Sequence, residues 1–169
     1  SIVVQYQNVE RLKFKSFAFD MKAYLKTNKD YSVRPQNWQT IEAVVRGKPS
    51  YEWQVDMPAT KDYRSHQYFV TPPAHKPGFY IVAAEDPITG QRTAAQIYFS
   101  DLVLVIHKSP QIEQRELKVE VYSGATGRPI NDVQVNVSNA EYGKGHVAVG
   151  AGKTNSEGVF KLALKANQG

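Results

Sequence analysis

The 169-residue sequence contains no cysteine. That excludes disulfides, thiol nucleophiles and thiolate metal sites, although it leaves the compartment open. Long apolar runs are missing too. None approaches the ~20 residues of a membrane-spanning helix, and no basic-then-apolar leader opens the chain. The abrupt start at Ser1-Ile2 and the end at Asn167-Gln168-Gly169 are expected of a piece excised from something longer. A missing leader therefore says nothing about destination. Blocks of like charge are also absent. The net charge of +5 is a mild basic excess. Lys13, Lys15, Arg46, Lys48, Arg115 and Lys118 are scattered among Glu10, Glu42, Glu113 and Glu116. Nucleic-acid binders cluster their cations, so this pattern reads as a mixed, solvated surface. Neither a nucleic-acid partner nor membrane insertion is expected.

What the chain does have is apolar alternation cut by turns. Its 41% apolar content matches a folded globular protein rather than a disordered one. The organising stretch runs from Pro77 to Lys108. Pro77-Gly78 breaks the chain, and Phe79 to Ala84 forms an apolar run led by aromatic and β-branched residues. Pro87-Ile88-Thr89-Gly90 is a turn, and Thr93 to Ser100 returns. Asp101 then starts Leu102-Val103-Leu104-Val105-Ile106-His107 with no linker between. This reads as the closing hairpin of one β-sandwich followed directly by the opening strand of the next. The domains are accordingly expected at 1–100 and 101–169.

Upstream, Val3 to Asn8 suits an edge strand. Leu12, Phe14 and Ser16 alternate with Lys13, Lys15 and Phe17, and the registers trade places near Ser16, which fits a bulge. Asp20 to Thr27 reads as a strand with Met21, Ala23 and Leu25 on one face. Trp38, Ile41, Val44 and Val45 lie at helical spacing and permit a short helix, while Val44-Val45 before Gly47-Lys48-Pro49 would equally end a strand. Tyr51, Trp53, Val55 and Met57 alternate as in a half-buried strand, and Gln67 to Val70 follows as another.

Downstream, Leu117, Val119 and Val121 alternate, as do Val133, Val135 and Val137 after the turn Ser123 to Pro129. Tyr142 to Gly152 is glycine-rich and is expected to be a mobile loop running into a strand at Val147-Val149. Val159 to Leu164 is the last strand. Many short strands and at most one short helix make an all-β protein, two antiparallel sandwiches in tandem. The second is one or two strands short of closing.

No residue pattern assigns catalytic, cofactor-binding or metal-binding roles. Gly150-Ala151-Gly152-Lys153-Thr154 lacks the earlier glycine of a phosphate loop, since Val147 holds that position, and Asn155 to Gly158 is a turn rather than a helix start. His66, His75, His107 and His146 show no ligand spacing, although Asp62 and His66, or His66 and His75, could meet across a loop. Asp56, Asp62, Glu85 and Asp86 offer carboxylates, with nothing to set two on facing strands. Ser65-His66 lacks the setting of a triad. Asp101 suits a turn cap between modules. Asn136-Val137-Ser138 is a glycosylation sequon placed in mid-strand. Tyr51, Trp53, Tyr63 and Tyr68 could form a sugar-stacking face, although aromatics of a small sandwich are mostly core.

Three pieces taken in order carry a resemblance. Tyr6-Gln7-Asn8-Val9-Glu10-Arg11-Leu12 opens the chain, and Pro77-Gly78-Phe79-Tyr80 leads into Ser100-Asp101-Leu102. Gly124-Ala125-Thr126-Gly127-Arg128-Pro129-Ile130-Asn131-Asp132-Val133-Gln134-Val135 then precedes Thr154-Asn155-Ser156-Glu157-Gly158. Together with Asp62-Tyr63-Arg64-Ser65-His66, this resembles the macroglobulin-like domains of the bacterial alpha-2-macroglobulin family, its large Bacteroidetes members above all. The resemblance covers nearly the whole chain. It implies a non-catalytic scaffold fragment of a long periplasmic, cell-envelope or secreted protease inhibitor, exported or lipid-anchored. The expected partners are neighbouring macroglobulin-like domains and, through the full-length protein, a target protease. Family members that trap covalently use a thioester within Cys-Gly-Glu-Gln, which cannot lie in a chain without cysteine. No cofactor is implied. The 116–165 half also resembles the transthyretin-like carboxypeptidase regulatory fold, which would instead imply a carbohydrate- or protein-binding module of a surface or nutrient-uptake protein.

Overall fold

A computed structural model describes residues 1–30, 32–108 and 116–164. The chain divides into two compact units. The first comprises Ser1–Met21 with Arg34–Phe99, and the second Lys22–Val33 with Ser100–Gly169. Residues 22–33, which the sequence reading places in the first domain, group with the second unit.

In the first unit, β2 (Arg11–Ala18), β3 (Tyr51–Asp56), β5 (Gly78–Glu85) and β6 (Arg92–Phe99) form an antiparallel sheet in the order β3-β2-β5-β6. β1 (Ile2–Tyr6) and β4 (His66–Val70) form a second, two-stranded sheet. Tyr6 and Val70 from the small sheet meet Leu12, Phe14, Tyr80 and Val82 from the large one in a single core. This is a sandwich whose alternate residues interdigitate. The opposite face of the large sheet is covered as well. Helix α2 (Trp38–Val45) lies against β5, and Ile41 of the helix, Phe17 of β2 and Ile81 and Ala83 of β5 are all buried. Asn37 caps this helix, its side chain accepting from the Gln39 N–H at 2.8 Å. Glu42 on α2 pairs with Arg92 on β6 at 2.8 Å. Of the two readings open for Trp38 to Val45, the helix is correct.

The expected bulge at Ser16 is absent. β2 pairs with β5 without interruption from Lys13↔Glu85 to Ala18↔Tyr80. Ser16 stays inward because it has a polar partner there, and Phe17 is apolar because it too is buried, on the opposite face of the strand. The strand expected at Asp20 to Thr27 is also corrected, to a helix, α1 (Met21–Thr27). Met21, Tyr24 and Leu25 are its half-buried positions, and Asn28 just past its end continues the same helical spacing. Met, Lys, Ala and Leu favour that choice, and no β-branched residue intervenes before Thr27. The described residues thus hold two helices where at most one was expected.

The second unit pairs β7 (Leu102–Lys108), β8 (Glu116–Ser123) and β11 (Val159–Ala163) in the order β11-β8-β7. β9 (Gln134–Glu141) and β10 (Gly145–Lys153) form a hairpin. Leu117, Val119, Val121 and Phe160 pack against Val133, Val135 and Val137, giving a second sandwich core. The mobile loop expected at Tyr142 to Gly152 is instead mostly strand, turning at Tyr142-Gly143-Lys144 and bulged between Ala148 and Gly150. Its glycines serve packing. A Cβ on Gly150 or Gly152 would overlap Leu162 or Phe160 of β11, so bare backbone lets those side chains seat.

Candidate functional site

Of the motifs that carried the resemblance, those around Asp101, Gly124 to Val135 and Thr154 to Gly158 fold into one polar knot of the second unit. The Thr154 hydroxyl, almost wholly buried, donates to the Ile130 carbonyl at 2.8 Å and accepts the Val133 N–H at 3.0 Å. Gly158 sits at φ 72° with no room for a Cβ, which would strike the Val121 carbonyl and Pro129. Asn155 Oδ1 accepts from the Glu157 and Val159 N–H groups. Asp101 accepts from Ser123 Oγ at 3.0 Å and the Ala125 N–H at 2.9 Å, so it fastens the Ser123–Arg128 turn within this unit. Lys153, the cation of the supposed phosphate loop, pairs with Asp132 at 2.8 Å. The tract is strand and turn, and it offers no cradle of backbone N–H groups.

In the first unit an open cleft of about 470 Å³ is lined by Tyr6, Pro58 to Asp62, and His66 to Tyr68. Three contacts hold the 58–65 loop in place. Tyr6 donates to the Pro58 carbonyl at 2.9 Å, Gln7 to the Tyr63 carbonyl, and Thr60 to Asn8 Oδ1 at 3.3 Å. Asp62 and His66, placed by the sequence within reach across a loop, meet at 2.6 Å. The imidazole, helped by the Arg64 N–H, holds the Asp62 carboxyl below its usual range. This dyad is oriented, yet among the described residues no serine, threonine or tyrosine hydroxyl is bonded to His66.

His75 does not meet His66. It lies half-buried at a different end, in a cluster that sequence reasoning missed. Its ring stacks on Phe99 at 4.1 Å and 1°, lies 4.0 Å from Tyr51, and meets Trp53 and Tyr80 edge-on. Nδ1 lies 2.6 Å from the Pro73 carbonyl, so it carries the proton and donates, and Nε2 accepts from Ser16 Oγ at 3.0 Å. The signal available in the sequence was Ser16 itself, a polar residue at an inward position. The connection between β4 and β5 is thus pinned over the core by its own histidine. His146 Nε2 lies 3.4 Å from the Ser32 carbonyl, and His107 lies 3.7 Å from Glu120. Among the described residues, no three acidic or histidine side chains gather to hold a metal.

The sugar-stacking candidates are largely structural. Tyr51, Trp53 and Tyr68 pack against the first core. Trp53 stacks on Phe14 at 5.1 Å, and its indole N–H is sealed from solvent without a partner. Tyr63 alone of the four is fully displayed. Asp56 pairs with Arg11 at 2.6 Å, and Asp86 caps its own turn through Ile88 and Thr89. Asn136 lies within β9. None of the described helices is long and apolar enough to cross a membrane.

No family model matches the sequence, and no curated protein matches it. Solved structures do. A fragment of native alpha-2-macroglobulin from Escherichia coli spanning domains NIE-MG1 aligns over 98% of this chain and 79% of its own, with a TM-score of 0.70 at 15% identity. A longer fragment of the same protein, spanning MG0-NIE-MG1, aligns over 98% of this chain at a TM-score of 0.64 and 15% identity. The chain spans about half of that longer fragment, 52%. At such identity the likeness is one of architecture. The chain carries the two-sandwich fold of bacterial alpha-2-macroglobulin domains.

Proposed function

We propose that the chain is a non-catalytic scaffold segment of a large bacterial alpha-2-macroglobulin-like protease inhibitor. Its two sandwiches space and orient the parts that engage a protease. The observation that carries this reading is the fold match along 98% of the chain. Supporting it, the conspicuous residues are spent on structure: Thr154 and Gly158 on a turn, His75 on a core, and Trp53 on Phe14. In this reading the segment works in the periplasm or cell envelope, beside further macroglobulin-like domains, and meets a protease only through the whole protein.

The reading frame encoding the chain tests the proposal. A frame many times longer, with an export or lipoprotein signal and further β-sandwich modules, is the expected result. Cys-Gly-Glu-Gln elsewhere in that frame would make covalent trapping the working mechanism. A frame running into an outer-membrane barrel would overturn the proposal in favour of a surface-binding module.

A further inference from the structure

Helix α1 has little of its own to hold it. Its 7 residues fall short of the ~12–15 below which an isolated helix is marginal in water. None of them is fully buried. Asn28, just past the helix, closes its end. The Asn28 N–H donates to the Tyr24 carbonyl at 2.8 Å, Nδ2 donates to the Ser32 carbonyl at 3.1 Å, and Oδ1 accepts from the Asp30 N–H at 3.3 Å. The end so formed lies against the start of β10, where Gly145 is buried at φ 78°. Where a side chain would leave Gly145, the Asn28 carbonyl lies instead, and the Lys29 Cα is 3.1 Å from that position. Next to it, His146 Nε2 reaches the Ser32 carbonyl at 3.4 Å across 114 residues of sequence. That carbonyl thus serves Asn28 with one lone pair and His146 with the other. All of these residues belong to the second unit.

We propose that α1 and the turn Asn28-Lys29-Asp30 form a strap that seats on Gly145 and can leave it while the core of the second unit stays folded. The strap gives no side chain to that core, which Leu117, Val119, Val121 and Phe160 build with neighbours from β9, β11 and the turns. Its release therefore uncovers little apolar surface, and segments of that kind open locally at low cost. The seat itself is backbone against backbone, so it holds only while position 145 has no Cβ. Gly143, in the same hairpin turn, marks the difference. It has φ 71° with nothing within 4 Å of its would-be Cβ. Glycine at 143 answers to the turn alone, and glycine at 145 answers to the strap as well.

Amide hydrogen exchange on the whole chain tests this. The Asn28 amide reports the strap, and the Val121 amide, bonded to the Gly158 carbonyl at 2.9 Å, reports the core. Asn28 should exchange faster than Val121 in the unaltered protein, through local opening. Gly145→Ala should speed exchange at Asn28 by about tenfold or more, because the overlap penalises the seated state, and should leave Val121 unchanged. Gly143→Ala bears a like left-handed cost without the overlap, so it should leave Asn28 at the original rate. His146→Ala, which removes the bond to Ser32 and strains no backbone, should also speed Asn28 alone. It should add nothing once Gly145→Ala has released the strap. Equal acceleration of Asn28 by Gly145→Ala and Gly143→Ala would point to turn strain rather than a seat, and would overturn the proposal. Equal acceleration of Asn28 and Val121 would do the same, since position 145 would then support the whole unit. So would an Asn28 rate that neither Gly145→Ala nor His146→Ala moves.

Discussion

β5 and β7 look alike in sequence and end up in opposite environments. Each is a consecutive apolar run, Phe79 to Ala84 and Leu102 to Ile106. β5 lies between β2 and β6. Tyr80 and Val82 face the sandwich core, and Ile81 and Ala83 face the layer under α2. Among the described residues β7 has one neighbour, and Leu102 to Ile106 are exposed on both faces. An apolar run therefore encodes a strand and a demand for cover. What supplies the cover is decided by topology, here by a helix inserted between the strands β2 and β3. Among the described residues no such helix lies over β7.

The sharpest way to break this comparison is to cut the same methylenes from both strands. Ile81 is fully buried, so Ile81→Ala should cost about 2–5 kcal/mol. Leu104→Ala, on an exposed strand, should change stability by no more than about 0.5 kcal/mol in dilute solution. Urea unfolding reads both, and the units can be told apart. Trp38 and Trp53 lie in the first, so their fluorescence follows that unit, while far-ultraviolet circular dichroism follows both. Equal losses would mean that β7 is as buried as β5, and the contrast would fall.

A smaller effect sharpens the comparison of the two cores through their buried hydroxyls. Thr154→Val keeps the shape but strips the Ile130 carbonyl and the Val133 N–H of their shared partner, both within a closed turn. The expected cost is about 1–3 kcal/mol, from unsatisfied buried groups. Ser16→Ala removes a bond to His75, whose half-exposed ring can turn to water. That should cost about 1 kcal/mol or less. The order of the two losses, measured by denaturant midpoints, is the prediction. The reverse order would show that the His75 cluster, and not the Thr154 turn, is the stiffer knot.

These contrasts mark what was legible beforehand. Strands announced themselves by period-two alternation, as in Tyr51 to Met57, and by turn residues such as Pro87 to Gly90. Two sandwiches followed from their number and spacing. The Thr126-Gly127-Arg128-Pro129 and Thr154 to Gly158 motifs carried the fold because a buried hydroxyl and a left-handed glycine hold that turn together. Met21 to Thr27 was misread because Met21, Ala23 and Leu25 satisfy period two while Met21, Tyr24, Leu25 and Asn28 satisfy the helical period. A short run does not separate the two. The His75 cluster joins positions up to 59 residues apart in sequence, a separation no local pattern encodes. Asp62 and His66 were within local reach, and there proximity could be read.

The smallest effect compares two loop carboxylates of the first unit. Asp62 is held mainly by His66, and Asp86 mainly by the Thr89 hydroxyl, with backbone N–H groups helping each. Both carboxyls are thereby lowered from their ordinary value of 3.8. A carboxyl whose folded pKa is depressed stabilises its loop above the unfolded value and loses that contribution as pH falls through the folded one. Both loops should therefore hold at neutral pH and loosen only in acid below 3.8. Exposure to solvent keeps the global effect slight, so the loops themselves are the better readout. In a carboxyl NMR titration both midpoints should fall below 3.8, with the Arg64 and Ile88 amide signals moving along with them. Asp62→Asn should abolish the acid response at Arg64 and leave that at Ile88 intact. An Asp62 midpoint at the ordinary value, beside a depressed one for Asp86, would mean that the His66 contact does not form in solution. The cleft would then have no oriented polar pair, and the 58–65 loop would rest on Tyr6, Gln7 and Asn8 alone.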